Sequence, residues 1–542
     1  MAKFFVFFLS SLLLIALSQP DWSPMLCIVS AGIGFALFWK ALVMIKSKKG
    51  KFWTATLFFA LIEIIQLSWC LSDRYVGKPI YVALGAVSLW LGIEFGLVSL
   101  LIPPNKKLSV LRAFVISSLW VLMEWSRLFV LSGVPWNPIG LMLTSTLPGM
   151  QLVSIGGVFF LSFWIFLTNC IAFRWMQSEF SILAFGSWLI IFIFPYIFGF
   201  AAIKLHAKGI EQAEEKIHAV VVQTALLPEE KVLLPSLYSE ALHPIFQWER
   251  ILTIMAPHKK RKIDLILLSE AVVPYGTDIP LFTVNDVKKV FEKVYGNHSE
   301  EFLPFHEELN TKVGNGYFAQ AIANYFGADC VVGLEDIEPT AAYNAAFIFS
   351  PYSKRRLRYE KRVLVPMGEY IPFEWCKNIL RKYGIEDSFT KGTMAKVFEG
   401  KKIPFGVSIC YEETYGDLMR ENRALGAKML VNLTNDVWYP RSRLPMVHFL
   451  HGRLRSVEEG IPLIRSCNTG VTCAIDSLGR TLAFLPYDCS ENQACPSSLY
   501  VKVPVYTYPT HYALTGDRPL IFATVAITGM AFLFSCFKKF FS

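Results

Sequence analysis

Charge is scarce in this chain of 542 residues. Asp, Glu, Lys and Arg together make up 18%, where a water-soluble protein carries about 25%. With 54% hydrophobic residues and a mean hydropathy of +0.42, a fold that meets only water is excluded. Metal-ligand spacing is also missing. Seven of the 11 cysteines (Cys330, Cys376, Cys410, Cys467, Cys473, Cys489 and Cys495) lie between the apolar ends, and none forms a zinc-type pattern. His448 and His451 stand three apart on a helical stretch without a third ligand, and a helix-surface position accounts for them. No basic stripe interleaved with aromatics occurs, so the net charge of +9 does not point to nucleic acid. No inverted hydropathy repeat or matched pair of broken helices marks a secondary transporter.

What is present is apolar and unevenly placed. Apolar runs lie near 4–18, 25–45, 52–71, 80–102, 110–131, 151–173, 181–203 and 519–537, and a bilayer core takes about 20 apolar residues as helix. About eight transmembrane helices are expected. The first run is short, but Leu17-Ser18-Gln19-Pro20-Asp21 makes a poor signal-peptidase site, so it is read as a span. Lys3, the cluster Lys46, Lys48, Lys49 and Lys51, then Lys106, Lys107 and Arg112, and finally Lys538 and Lys539 fall in alternate connections. These belong on the cytoplasmic side, which puts residues 205–518 outside the cytoplasm. Glu63, Glu94, Glu124 and Arg127 lie inside the spans. Intramembrane charge is a functional hypothesis by default, and Glu124 with Arg127, three apart, reads as a self-neutralising pair.

The expected organisation is a membrane domain over 1–204, an extramembrane domain over 205–518, and a last span with its tail over 519–542. Between 217 and 505, short β-rich runs alternate with amphipathic helical stretches, the pattern of an α/β domain. Strands are predicted at Ile217–Gln223, Asp264–Ser269, Asp329–Gly333, Asn344–Phe349, Ile403–Ile409, Met429–Leu433, Leu463–Cys467 and Val471–Ile475. Residues 281–314 read as an exposed, charged insertion. Cys489 and Cys495 flank a short polar loop and are the best disulfide candidates in an exported domain.

Three residues stand where such a sheet presents chemistry. Glu270 ends Asp264–Ser269, Cys410 ends Ile403–Ile409, and Lys361 lies in Tyr359-Glu360-Lys361-Arg362. Taken singly, each has a plainer reading: a surface acid, a small buried hydrophobe, and a solvated lysine in the basic cluster 354–362. Together they supply a nucleophile, a proton carrier and a fixed positive charge.

Ile409-Cys410-Tyr411-Glu412 resembles the nucleophile motif of the nitrilase superfamily, whose catalytic set runs Glu, Lys, Cys along the chain. Asn435-Asp436-Val437-Trp438-Tyr439, Arg453-Leu454-Arg455 with Glu458, Arg465 to Val471, and Ile475-Asp476 extend the likeness. Lys361 through Pro372, Pro135-Trp136-Asn137-Pro138-Ile139-Gly140 and Gln151 through Val158 are similar to the bacterial apolipoprotein N-acyltransferases. The likeness covers nearly the whole chain. Two departures stand out: Val363 replaces a His two residues after Lys361, and Lys231 precedes Val232 where a Trp is usual.

The resemblance implies an extramembrane αββα sandwich and a catalytic trio of Glu270, Lys361 and Cys410, supported by Glu369, Tyr411 and Glu412. It implies an acyl chain moved from a membrane phospholipid, through a Cys410 thioester, to the α-amine of diacylglyceryl-cysteine on apolipoproteins. It further implies an inner-membrane monomer with its catalytic domain in the periplasm, and no metal or cofactor. A membrane-anchored amide hydrolase is the nearest rival, and a transporter with an exported accessory domain is the rival of another class.

Overall fold

The computed structural model describes all residues except 73, 105, 179–180, 232–240, 297–301, 305–307, 375–376, 378–387, 488–494 and 541–542. The chain divides into two compact units, Met1–Ala207 with Pro509–Ser542, and Lys208–Tyr508.

In the first unit, helices occupy all eight apolar runs: Ala2–Ala16, Pro24–Leu42, Lys48–Gln66, Pro79–Ser99, Val110–Ser126, Val153–Met176, Ile182–Glu211 and Arg518–Phe540. Four are both long and apolar enough to cross a membrane: Pro24–Leu42, Pro79–Ser99, Val153–Met176 and Ile182–Glu211. Lys48–Gln66 opens on lysines and carries Glu63, and Ala2–Ala16 has only 15 residues. This is a multi-span membrane region. The helix Val153–Met176 breaks at Gly156 and Gly157, where φ of Gly157 is +70°. A Cβ there would come within 2.5 Å of the Tyr512 ring, so the position requires glycine on two counts.

The expected Glu124–Arg127 pair does not form. Arg127 pairs with Glu94 on the neighbouring helix, its Nη2 2.7 Å from Oε2. Glu124 instead accepts from Trp120 Nε1 at 2.8 Å and from the Ile139 N–H at 2.9 Å. Glu63 Oε2 accepts from Asn137 Nδ2 at 2.9 Å, and the Gly140 N–H donates to Ser162 Oγ at 2.9 Å. Polar groups on three helices thus hold one buried connection, 137–140, each satisfying a backbone or amide group that lipid could not.

The second unit holds two six-stranded sheets and a small two-stranded one. In chain order the strands are β1 Lys216–Gln223, β2 Leu265–Leu268, β3 Phe282–Thr283, β4 Lys312–Val313, β5 Asp329–Glu338, β6 Ala341–Phe349 and β7 Leu357–Glu360. They continue as β8 Val397–Glu399, β9 Pro404–Ile409, β10 Met429–Thr434, β11 Leu463–Cys467, β12 Cys473–Ile475, β13 Thr481–Phe484 and β14 Ser497–Pro504. One sheet runs β14-β1-β2-β5-β6-β7, the other β13-β12-β11-β10-β9-β8. β1, β2 and β5 are parallel, as are β9, β10 and β11, with antiparallel strands outside them.

Alternate residues explain the layers. Ala219, Val221, Leu265 and Leu267 face Val407, Ile409, Val431 and Leu433 in one apolar cluster between the sheets. The opposite face of the first sheet packs on the helices Pro244–Met255 and Asn315–Phe326. The helices Gly416–Ala424 and Leu444–Glu459 contribute Met419 and Phe449 to a third cluster against the second sheet. Because each sheet is apolar on both faces at its centre, the central strands read as continuous hydrophobic runs.

The stretch 281–314 is not simply exposed. Phe282, Val284, Val287, Val290, Phe291, Phe302 and Val313 join the core, because the helix Val284–Tyr295 turns one apolar stripe inward beneath its charged face. Two arginines of the basic cluster 354–362 are tied to acids of the same unit. Arg356 pairs with Asp278 at 2.5 Å, and Arg358 pairs with Asp336, Glu338 and Glu360. The proposed Cys489–Cys495 bridge lies outside the described residues, since Cys489 is among those not described.

Candidate active site

Strand ends deliver the predicted trio to one place. β2 runs out at Leu268, and Glu270 follows with Ala271 at φ +41°. β9 runs out at Ile409, and Cys410 follows at φ +50°. β7 runs out at Glu360, directly before Lys361. A positive φ on a residue with a Cβ is unfavourable and persists only where surroundings over-determine it, which is common at functional sites.

Lys361 is 1% exposed. Its Nζ donates to Glu270 Oε1 at 2.9 Å and to Glu369 Oε1 at 2.7 Å. Asn344, in β6, spans the same two acids: its Nδ2 donates to Glu270 Oε1 at 2.8 Å and to Glu369 Oε1 at 2.7 Å. The Val365 N–H holds the other oxygen of Glu369 at 2.8 Å. Burial works against the Lys361 ammonium, yet the charges of Glu270 and Glu369 hold it well above the ordinary lysine range.

Burial pushes the Cys410 thiol well above its ordinary value, and the Glu270 charge adds to that rise while Lys361 opposes it. The group therefore rests as a thiol. A base must take its proton as it attacks, and Glu270 is the carboxylate whose charge it feels most.

Glu412 is fully buried and ties the trio's supports together. It accepts from the N–H groups of Ile409 at 2.8 Å and Val363 at 3.1 Å, from the Arg362 N–H, and from Tyr359 Oη at 2.9 Å. Its carboxyl is raised above the ordinary range, mainly by burial. Tyr411 is buried edge-to-face on Tyr415, ring centroids 5.4 Å apart, and its hydroxyl lies 3.2 Å from that of Tyr415.

Several site residues were not singled out from the sequence. Asn344 was read only as a strand start. Lys231, noted for the absent Trp beside it, is buried and donates to the Ala271 carbonyl at 2.9 Å. Burial lowers its pKa to about 8, against the pull of Glu270. Trp248 lies in the core, its Nε1 on Asn315 Oδ1 at 2.8 Å.

His448 and His451 are buried, not on a helix surface, because the helix Leu444–Glu459 is covered on nearly all sides. His448 Nδ1 lies 2.9 Å from Asp436 Oδ1, and its Nε2 lies 3.1 Å from the Cys410 carbonyl and 3.1 Å from Glu413 Oε1. Arg465 pairs with Glu413 at 2.6 Å. Ligand atoms of Cys410, Asp436 and His448 all lie within 4.8 Å of one another. They are the described side chains able to take up a soft divalent ion, although both nitrogens of His448 already make hydrogen bonds. The signal for this second cluster was present in the sequence as Asn435-Asp436 and Arg465-Ser466-Cys467, which fix no partners by themselves.

Comparison with known proteins gives this geometry a family. Residues 232–491 match the carbon-nitrogen hydrolase family, and residues 10–171 match the apolipoprotein N-acyltransferase N-terminal domain. A protein of Chlamydia caviae named apolipoprotein N-acyltransferase is 35% identical over 96% of this chain and 96% of its own length. Proteins of the same name from Chlamydia trachomatis and Chlamydia pneumoniae are 35% and 32% identical, each across 97% of this chain and at least 96% of their own.

Proposed function

The chain belongs to the apolipoprotein N-acyltransferase family, and from that membership we propose how its own residues carry out the reaction. The enzyme moves an acyl chain from a membrane phospholipid to the N-terminal α-amine of diacylglyceryl-cysteine on apolipoproteins, completing lipoprotein maturation. Relatedness along the full length, membrane region included, favours this over hydrolysis by a carbon-nitrogen hydrolase domain alone, and it leaves the transporter reading without an argument.

In the first half-reaction Glu270 takes the Cys410 proton as Sγ attacks the ester carbonyl carbon. Lys361 and the Tyr411 N–H stabilise the oxyanion. Collapse breaks the bond to the glycerol oxygen, and Glu270 returns the proton to the departing lyso-phospholipid. In the second, the α-amine attacks the thioester, an amide forms, and the proton it loses passes through Glu270 to the Cys410 sulfur. Glu369 holds Lys361, and Glu412 holds the loop. The contact that carries this reading is Lys361 Nζ between Glu270 and Glu369, beside a thiol that needs a base.

All eight helices cross the membrane in this reading. The lysine-rich connections face the cytoplasm, and the unit 208–508 works at the periplasmic face of the inner membrane on substrates held in the bilayer.

The test is acyl-enzyme trapping. The purified protein is incubated with phosphatidylethanolamine labelled in its acyl chain, without an amine acceptor. A label released by neutral hydroxylamine and mapped to the Cys410 peptide is expected. Label on another residue, or an ester resistant to hydroxylamine, would overturn the assignment of Cys410.

Gly333 offers a check on Glu270. A Cβ at Gly333 would lie 2.6 Å from Glu270 Cα and 2.6 Å from the Ser269 carbonyl oxygen. Gly333→Ala is expected to displace Glu270 and slow single-turnover acylation about 100-fold. An unchanged rate would show that the placement of Glu270 is not critical.

A further inference from the structure

The second buried cluster points at a peptide bond rather than at substrate. The Cys410 carbonyl receives two side-chain donors, His448 Nε2 at 3.1 Å and Asn432 Nδ2 at 3.3 Å. That carbonyl and the Tyr411 N–H are the two ends of one amide. Hydrogen bonds accepted at the oxygen of an amide draw electron density from its nitrogen and strengthen the N–H as a donor.

His448 is built for that task. Its neighbours are the Asp436 carboxylate at Nδ1, and the Cys410 carbonyl and the Glu413 carboxylate at Nε2. The Nε2 hydrogen therefore has the Cys410 carbonyl within reach as an acceptor. The side chains of Arg465, Glu413, His448 and Asp436 are all at most 1% exposed, so the ring is held in place by buried partners.

Resting on the assignment of Cys410 as the acylated residue, we infer that His448 is a positioning residue for the oxyanion site. Together with Asn432 it polarises the Cys410–Tyr411 peptide and aims the Tyr411 N–H at the oxygen that becomes negative during acyl transfer. Its effect belongs to the tetrahedral steps and not to the nucleophilicity of the sulfur.

Two reactions of Cys410 separate these possibilities. Acylation by labelled phosphatidylethanolamine passes through an oxyanion, while alkylation by iodoacetamide displaces iodide and forms none. Both require the thiol proton to leave. His448→Gln is expected to slow acylation roughly ten-fold or more while alkylation stays within about two-fold of the parent rate, with KM for the phospholipid little changed. Equal slowing of both reactions would mean that His448 acts on the sulfur or on the fold, and would overturn the inference, as would acylation at the parent rate. If His448→Gln does not fold, Asn432→Ser removes the other donor to the same carbonyl, and the same split decides. If the parent protein itself alkylates at Cys410 but never acylates there, the assignment of Cys410 has failed and takes this inference with it.

Discussion

Lys361→Met is expected to lower the rate of Cys410 acylation on the order of 1,000-fold. The methionine fills the space of the lysine stem but leaves Glu270 and Glu369 facing each other through Asn344 without a cation. Without that cation the two acids lose the charge that holds them together, and the oxyanion loses its positive partner. Stability should fall too. The side chains of Lys361, Glu270 and Glu369 are 1%, 8% and 12% exposed, and breaking a buried ion pair from one side costs about 3–5 kcal/mol. The contribution of Lys361 has a definite pH signature. Its folded-state pKa is raised, so its stabilisation is fully present below the ordinary lysine value and disappears only as pH climbs through the folded value, far above neutrality. A fall in activity between pH 6 and 8 therefore does not come from Lys361. Lys361→Arg is not expected to rescue the reaction, because a planar guanidinium cannot replace one ammonium between two oxygens. Single-turnover acylation and thermal unfolding in detergent measure both effects. Acylation within ten-fold of the parent would remove Lys361 from the oxyanion site.

Arg465→Met is expected to be the most destabilising change away from the reacting atoms. Arg465 and Glu413 are both fully buried, with Nη2 to Oε1 at 2.6 Å and Nε to Oε1 at 2.9 Å. The Glu413 charge holds the guanidinium above its ordinary range against the opposing effect of burial. Removing the cation strands Glu413 beside His448, at a cost of about 3–5 kcal/mol. Removing both charges in Arg465→Met with Glu413→Gln should recover part of that loss, since no lone charge is left buried. Melting temperatures of the two variants decide the matter. A single variant that melts with the parent would mean that the pair adds nothing, and a double variant worse than the single would mean that packing, not charge, is what was lost.

Much of the fold was legible because lipid and sheet cores write plain patterns. Eight apolar runs and eight strands were located, with ends that miss by up to eight residues, as where 181–203 proves to be Ile182–Glu211 and Asp329–Gly333 runs on to Glu338. β7, β8, β13 and β14 escaped notice because these outer strands mix polar and apolar residues. Glu270 and Cys410 were legible as strand ends, and Lys361 through its motif alone. Partners were not. Nothing in the spacing of Glu124 and Arg127 shows that Arg127 reaches across to Glu94, and nothing near Asn344 announces that its amide spans two acids 74 and 25 residues away. A period of two or 3.6 reports which face is buried; it does not report what waits on the far side. His448 was misplaced for the same reason, since a helix covered all round has no outer face to read.

The Glu412 carboxylate has a consequence for how this enzyme can diversify. It gathers the end of β9 from one sheet and the residues just after β7 from the other, so the sulfur and the ammonium are two ends of one part. A lineage adapting to a different acceptor cannot shift one without the other, and changes that loosen this joint forfeit the chemistry before any new preference can be selected. Room for innovation lies instead in side chains that face outward from this unit, such as Met367, Phe373 and Trp438, which can vary while the joint stays fixed.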